Sequence, residues 1–176
     1  MITERLRLRP IRPSDAEAIH AIQDLVGQGR ADRTIDELRS LYTQMEAMTE
    51  CDPGWHGFVI ELHDGTVIGD VGYCLDQPEE RQAEIGYGLH PDFWGAGYAT
   101  EALTGMLRMM LTGSTLHRVV AITKSANLAS RRLLERLGFR LEGQYQAAFY
   151  DYRAKVWVDS VGYALLASEW NEGLLG

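Results

Sequence analysis

The stretch from His90 to Leu103, HPDFWGAGYATEAL, places small residues directly before a predicted helix. Gly95, Ala96 and Gly97 leave the backbone almost bare ahead of a run of good helix formers. The first N–H groups of a helix have no partner within it, and they lie at the positive end of its dipole. Small residues there let a pyrophosphate approach the backbone without help from basic side chains. The loop therefore predicts either a phosphate site or a tight turn between a strand and a helix.

Two more specialised phosphate motifs do not fit this loop. The segment from Gly95 to Thr100 has two of the three glycines of a dinucleotide fingerprint, and no repeated βαβ unit surrounds it. The Gly-Lys-Ser/Thr ending of a Walker loop is absent. A general phosphate cradle and a turn without ligand remain as alternatives.

The elements around the loop must position it. Gln82 to Leu89 is predicted as a strand, and its two internal glycines, Gly86 and Gly88, indicate a bulge or a close approach by another backbone. A helix is predicted from about Tyr98 to Leu111, and a β-branched strand follows from Leu116 to Thr123. The order strand–helix–strand predicts a parallel pair on the two sides of the loop.

The remaining chain contributes mostly strands. Ser14 with Glu17, and Thr34 with Glu37, have capping-box spacing and predict two early helices. Further strands are predicted over Arg5–Arg9, Phe58–Leu62, Val67–Cys74, from Phe139 to Gly143 and over Lys155–Leu166, and a further helix over Ala129–Leu137. Hairpins followed by strand–helix units predict an α+β (mixed α/β) fold.

Two runs, AEIGYGLHPDFWGAGYATEAL and NLASRRLLERLGFRLEG, resemble the GNAT superfamily of acyl-CoA-dependent N-acyltransferases. The loop of that family reads Gln/Arg-x-x-Gly-x-Gly/Ala. Gly97 and Ala99 fill its last two places, whereas Trp94 stands where Gln or Arg is usual. The aromatic-Trp-Gly step and the Asn-x-x-Ser step are similar to the RimJ/RimL-type branch, which holds ribosomal-protein N-terminal acetyltransferases. The resemblance covers nearly the whole chain, from RLRLRPIRPSDA to VDSVGYALLASEW.

The resemblance implies a GNAT fold and acetyl-CoA as cosubstrate. The expected sheet is twisted and mixed, has about six to seven strands with splayed central parallel strands, and is flanked by about four helices. The pantetheine arm would lie along Tyr87, Gly88 and Leu89. Asn127 would bind the pantetheine amides or cap the helix that follows. The pyrophosphate would bind the loop residues Trp94, Gly95, Ala96, Gly97, Tyr98, Ala99 and Thr100.

Acetyl transfer to an amine needs a base, an oxyanion donor and a hydrogen-bond donor for the leaving thiolate. By resemblance, Glu84 in the Ala-Glu-Ile step is the candidate base, acting directly or through a water; a solvated strand carboxylate is the alternative. Ser130 is the candidate for hydrogen bonding the leaving sulfur, with helix capping or a pantetheine contact as alternatives. Leu134 or a neighbour stands where many GNAT enzymes have Tyr. The oxyanion donor is expected to be a backbone N–H near Tyr87.

The resemblance implies an acceptor site between the early helices and the late hairpin. Its expected walls are Trp55, Tyr145, Tyr150 and Asp151. The expected acceptor is a primary amine at a peptide or protein N-terminus. A small amine, such as an aminoglycoside-like compound or a polyamine, and a non-catalytic acyl-CoA-binding module are the alternatives. The basic cluster Arg131, Arg132 and Arg136 fits either the 3′-phosphate of CoA or a solvated helix face.

Composition sets the outer limits of function. The 176 residues suit one domain over 1–176, and the net charge of −8 argues against a nucleic-acid partner and agrees with a cationic acceptor. No apolar run is long enough to cross a membrane and no signal-peptide pattern is present, so a cytoplasmic location is expected. Cys51, Cys74 and the five histidines lack metal-ligand spacing, so no metal is expected. Homodimers are common in such families, and the sequence itself does not give the oligomeric state.

Overall fold

A computed structural model describes residues 1–26, 33–76, 78–152 and 154–170. The main strands are β1 (Leu6–Pro10), β2 (Gly54–Leu62), β3 (Val67–Leu75), β4 (Gln82–Leu89), β5 (Arg118–Lys124), β6 (Arg140–Asp151) and β7 (Val156–Leu166). The α-helices are α1 (Ala16–Val26), α2 (Ile35–Glu46), α3 (Tyr98–Leu111) and α4 (Leu128–Arg136). The predicted mixed fold is confirmed, including the bounds of β4 and α3.

The seven strands form one mixed sheet in the order β1-β2-β3-β4-β5-β7-β6. Every neighbouring pair is antiparallel except β4 and β5. This parallel ladder joins only Gln82 to Arg118, Ala83 to Val119 and Glu84 to Val120. Past Glu84 and Val120 the two strands continue but no longer pair with each other. The predicted splay of the central parallel strands is therefore confirmed.

The sheet separates two apolar clusters. Ile19 of α1, Leu38 of α2 and Val59 of β2 pack together on one face, here the α1–α2 face. Met106 of α3, Leu134 of α4 and many strand residues pack on the other, here the α3–α4 face. Residues opposite each other on adjacent strands share a face, which assigns each central side chain to one side.

Helix caps differ in part from the sequence prediction. Thr34 caps α2 and exchanges hydrogen bonds with Glu37, as predicted. The capping box predicted from Ser14 and Glu17 is wrong. A short 3₁₀ turn, Pro13–Asp15, precedes α1, and the Asp15 carboxylate instead accepts the Arg12 N–H at 2.8 Å.

Of the two alternatives for the glycines of β4, the bulge is not observed, because β3 and β4 pair without a register shift from Gly69–Leu89 to Cys74–Glu84. The glycines serve close approach instead. A Cβ on Gly69 would meet the Gly88 carbonyl oxygen at 2.2 Å, and one on Gly86 would lie 3.3 Å from the Trp55 ring. Gly27 and Gly29, which are expected from the sequence to end the first helix, lie outside the described residues.

Candidate active site

A cavity of about 740 Å³ crosses the gap between β4 and β5. On the α3–α4 side it is lined by Tyr87, Asn127 and Ser130, and on the α1–α2 side by Trp55 and Asp70. Two substrates entering from opposite faces of a sheet could therefore meet where the strands part.

The open edge of β4 presents backbone groups to this cavity. The Gly88 carbonyl points toward β3, and the Arg81 carbonyl accepts N–H groups of β5. The N–H and C=O groups of successive residues point to opposite sides of a strand. The N–H and C=O groups of Tyr87 and Leu89 therefore point into the gap. The Leu89 carbonyl accepts the Trp94 indole N–H at 2.7 Å, so Trp94 anchors the following loop to the strand end. The backbone of Gly88, a predicted cofactor contact, faces β3 instead.

The loop before α3 is held open by positive φ angles at Gly95 (76°) and Gly97 (84°). Within the described residues, the N–H groups of residues 95–100 have no acceptor in hydrogen-bond distance. Nothing lies within 4 Å of a Cβ built on Gly95. Bare, outward N–H groups at the start of a 14-residue helix fit a pyrophosphate.

Arg5 fixes this loop from outside. Its guanidinium donates to the Ala96 carbonyl at 2.8 Å, pairs with Glu101 at 2.7 Å and lies 4.5 Å from the centre of the Tyr98 ring. Sequence analysis gave Arg5 no role, because its partners lie more than 90 positions away along the chain.

Two hydroxyl groups meet on the α3–α4 side. Tyr87 Oη lies 2.6 Å from Ser130 Oγ. Burial raises the pKa of Tyr87 to about 12, against the opposing effect of the hydrogen bond to Ser130. The phenol therefore stays protonated, and it can donate to Ser130 while the Ser130 proton points elsewhere. Sequence analysis assigned Tyr87 only a backbone role.

Asn127 begins α4 as its N-cap, and its Oδ1 accepts the Ser130 N–H at 3.1 Å. The capping alternative is thus observed, while its predicted contact with pantetheine stays a prediction. Leu134, which the resemblance put at or near the place of a Tyr, is fully buried and lines the cavity. Arg131 contacts the Tyr163 hydroxyl and the Ser125 carbonyl, whereas Arg132 and Arg136 are exposed on α4.

Glu84 occupies the last paired position of β4, directly below the gap. Burial, and then the nearby Asp76 carboxylate, raise the pKa of Glu84. It is half-buried and is not part of the cavity wall. A water between Glu84 and the cavity is the arrangement that this position favours for the predicted base.

The predicted acceptor residues do not all meet. Trp55 lines the cavity, and from the late hairpin Phe149 lines it rather than its neighbours. Tyr145 lies over the backbone of the paired β6 and β7 strands, and Tyr150 packs on Tyr152 and Trp157. Asp151 pairs with Lys124 at 2.7 Å.

Sequence analysis missed Asp70, a carboxylate in the cavity wall on β3. A single polar residue within an apolar strand is its only signal in the sequence. In the described part of the chain, no group of His, Cys, Asp and Glu side chains is arranged to hold a metal. No described helix has the length and apolar character needed to cross a membrane.

A mixed sheet opened between its parallel strands, with unpaired backbone N–H groups at the mouth of the opening, agrees with an acyl-CoA-dependent transferase. Residues 5–140 match the family model of the acetyltransferase (GNAT) domain, and the chain belongs to that family. It is an N-acetyltransferase, a class that generally takes its acetyl group from acetyl-CoA and passes it to an amine.

Individual relatives agree with this assignment. The chain is 29% identical over 154 residues to the uncharacterized N-acetyltransferase YoaA of Bacillus subtilis, covering 84% of this chain and 86% of that protein. It is 36% identical over 89 residues to the ribosomal protein uS5-alanine N-acetyltransferase of Escherichia coli, about half of each chain (51% and 45%). A chimera of the Vibrio cholerae spermidine N-acetyltransferase SpeG with hSSAT superposes with a TM-score of 0.82 over 94% of this chain and 97% of that one; at 24% identity, this shows the fold alone.

Proposed function

We propose that this chain, acting as one domain, acetylates the α-amino group of a peptide or protein N-terminus by direct attack on acetyl-CoA in a ternary complex. The observation that carries the proposal is the cavity that joins both faces of the sheet where β4 and β5 part. A continuous opening lets an amine and a thioester be held in attack geometry, which by itself can lower the barrier by several kcal/mol, on the order of 7 or more.

The described residues fit acetyl-CoA. The N–H groups of residues 95–100 would bind its pyrophosphate, and the open backbone of Tyr87 and Leu89 would pair with its pantetheine arm as a strand partner does. The lack of side chains at Gly95 and Gly97 keeps this approach clear.

The chemistry then needs little from the protein beyond placement. Glu84 accepts a proton from the incoming ammonium, through a water, so that the amine gains a lone pair. The C–N bond forms while a backbone N–H at the open edge of β4, at or near Tyr87, stabilises the oxyanion. As the C–S bond breaks, the nitrogen gives up its second proton and the leaving thiolate takes one up, so that the products are the amide and the CoA thiol. The Ser130 hydroxyl donates a hydrogen bond to the departing sulfur, and the Tyr87 hydroxyl donates to Ser130 in turn.

The charges of the cavity favour an acceptor with one cationic group. Among its described lining residues there is one carboxylate, Asp70, beside the cations Arg33 and Lys124. A polyamine carries several ammonium groups and would need several acidic partners, whereas a peptide N-terminus carries one at its reacting end. The match to a ribosomal protein uS5-alanine N-acetyltransferase, whose named acceptor is a protein, supports the same choice.

A thiol-release assay with acetyl-CoA tests this proposal. The amines would be short peptides with free N-termini, the same peptides with formylated N-termini, spermidine and an aminoglycoside. We expect release with free peptides and none with formylated ones, and mass spectrometry should place the acetyl group on the α-nitrogen. A higher kcat/KM for spermidine would contradict the peptide assignment. Binding of acetyl-CoA without turnover of any amine would instead identify a binding module.

A further inference from the structure

Asp70 lies in the middle of β3, opposite Gly88, and faces the α1–α2 side. It forms part of the cavity wall, yet its Oδ1 is buried and has no hydrogen-bond partner in the described part of the chain. Burial raises the pKa of Asp70 to about 6, against the opposing effect of a hydrogen bond from Gln23. One carboxylate oxygen therefore lacks a donor.

Two other buried carboxylates, Asp15 before α1 and Glu61 on β2, have hydrogen-bond donors. Asp15 accepts both terminal nitrogens of Arg9, at 2.7 and 2.8 Å, and Glu61 accepts the Arg9 Nε at 2.6 Å. A carboxylate that serves stability is expected to look like these two, because an unpaired buried charge is costly. Asp70 differs in facing a cavity rather than a guanidinium.

The strand positions beside Asp70 in the cavity wall are glycines. Gly57, Gly72 and Gly86 lie side by side on β2, β3 and β4, on the same face as Asp70, and all three line the cavity. Trp55 covers Gly86 from above. Ile11 and Met45 lie similarly close to Gly57, so the wall beside the carboxylate is formed by backbone and by side chains of neighbouring elements.

We propose that Asp70 is the subsite that binds the ammonium group of the acceptor. The inference rests on the proposed function, since it names how that acceptor is recognised. An ammonium supplies the missing donor and forms a charge-assisted hydrogen bond, which is stronger than a neutral one in a partly desolvated site. Alcohols and amides of the same shape lack this charge, so Asp70 selects for amines.

The charged and titratable groups around this cavity leave Asp70 available. Lys124 is engaged with Asp151 across the cavity, and Tyr42 of α2 is a neutral phenol whose pKa burial raises further. Arg33 lines the same wall at the start of α2. Among the described residues that line the cavity, an incoming ammonium therefore meets one carboxylate, Asp70, on the side of the sheet opposite the Tyr87–Ser130 pair, while Glu84 lies on the same side but outside the cavity wall.

Steady-state kinetics of Asp70→Asn would test this role, with Asp24→Asn as the matched control. Asp24 lies on α1 next to Gln23, and its side chain is 56% exposed, so the control removes the same charge from the same region. For Asp70→Asn we expect the KM of the amine to rise at least tenfold, with kcat within threefold and the Kd of acetyl-CoA unchanged. An unchanged KM, or an equal rise in Asp24→Asn, would overturn the inference.

A binding experiment separates this inference from the proposed acceptor. Butylamine and butanol would be titrated into the wild type and Asp70→Asn, each loaded with CoA, which has no acetyl group to transfer, with amide chemical shifts as the readout. We expect butylamine to shift cavity residues in the wild type at least tenfold more tightly than butanol, and this preference to vanish in Asp70→Asn. If peptides fail as substrates while this preference holds, only the acceptor assignment fails; if wild type and variant bind butylamine equally, Asp70 is not the subsite.

Discussion

At the scale of single residues, the Tyr87–Ser130 pair offers a direct test of how the thiolate leaves. We expect Tyr87→Phe and Ser130→Ala each to lower kcat by about 10-fold or more, because hydrogen bonds to charged groups contribute about 1.5–3 kcal/mol. The double variant should be no slower than Ser130→Ala, since Tyr87 acts through Ser130. Single-turnover rates at saturating acetyl-CoA would measure this. Losses that simply multiply would show that the two hydroxyls act independently.

A second residue-scale prediction concerns stability at Asp70. Its pKa rises from 3.8 to about 6 on folding, so the folded state binds this proton more tightly. The resulting stabilisation is complete below pH 3.8 and is lost as pH rises through 6, a change on the order of 3 kcal/mol. We expect Asp70→Asn to be more stable than the wild type in urea at pH 7.5 and similar to it at pH 4. A less stable variant at pH 7.5 would contradict this.

Sequence analysis reached some of these residues and not others. Ser130 could be predicted because it belongs to a short local pattern that also caps a helix. The hydroxyl role of Tyr87 could not, since its partner is 43 residues away and only the fold brings α4 over β4. Asp70 was missed for a similar reason, because its environment depends on α1 and on the glycines of two adjacent strands.

At the scale of elements, acetyl-CoA binding by the loop before α3 should be less sensitive to backbone strain at Gly97 than to a negative charge there. Gly97 has φ 84°, so any side chain there costs about 1–2 kcal/mol. We expect Gly97→Ala to weaken acetyl-CoA binding less than tenfold, and Gly97→Glu to weaken it at least 100-fold by repelling the pyrophosphate. Calorimetric titration would measure both.

Gly113 supplies the control for that experiment. It also has a positive φ (71°), and a Cβ there would meet nothing within 4 Å. Gly113→Glu therefore adds similar strain and the same charge beyond the far end of α3. Equal loss of binding in Gly113→Glu and Gly97→Glu would remove the loop from consideration as the phosphate site.

Elements with strong local signals were predictable. Gly97 before α3 and the composition of β4 fixed the bounds of both. The helix cap at Ser14 was wrong because Arg9 orients the Asp15 carboxylate toward the Arg12 N–H, and that contact depends on β1. The bulge considered for β4 is not observed. The glycines of β4 lie close to Gly69 and Trp55 instead, and the pattern within one strand does not show such neighbours.

At the scale of the whole molecule, the sheet consists of two halves, β1–β4 and β5–β7–β6, joined by three residue pairs. Acetyl-CoA would contact β4 on one half and α4 on the other, so it should hold them together. At 100 times its Kd, a ligand adds about 2.7 kcal/mol. We expect a rise in Tm of about 5–10 °C by differential scanning fluorimetry, given about 2–4 °C per kcal/mol for chains of this size. The same rise in Gly97→Glu would contradict the proposed binding mode.

The whole-molecule architecture was predictable only in outline. Alternating strand and helix signals indicated the parallel pair, and the motif resemblance implied its splay. The position of β7 between β5 and β6 follows from long-range pairing along its whole length, for which the local sequence holds no signal.

The unpaired stretch of β4 has a further consequence for solubility. Exposed strand edges are templates on which other chains can add, and many proteins guard them with charges or prolines to avoid aggregation. Here the open edge is inside the molecule, flanked by β5 and α4. The N–H groups of Tyr87 and Leu89 face the gap, so a ligand bound there can pair with them, whereas a strand of another molecule would first have to enter between β4 and β5. The protein thus keeps an unpaired strand edge available to a bound ligand without exposing it on the surface to neighbouring protein molecules.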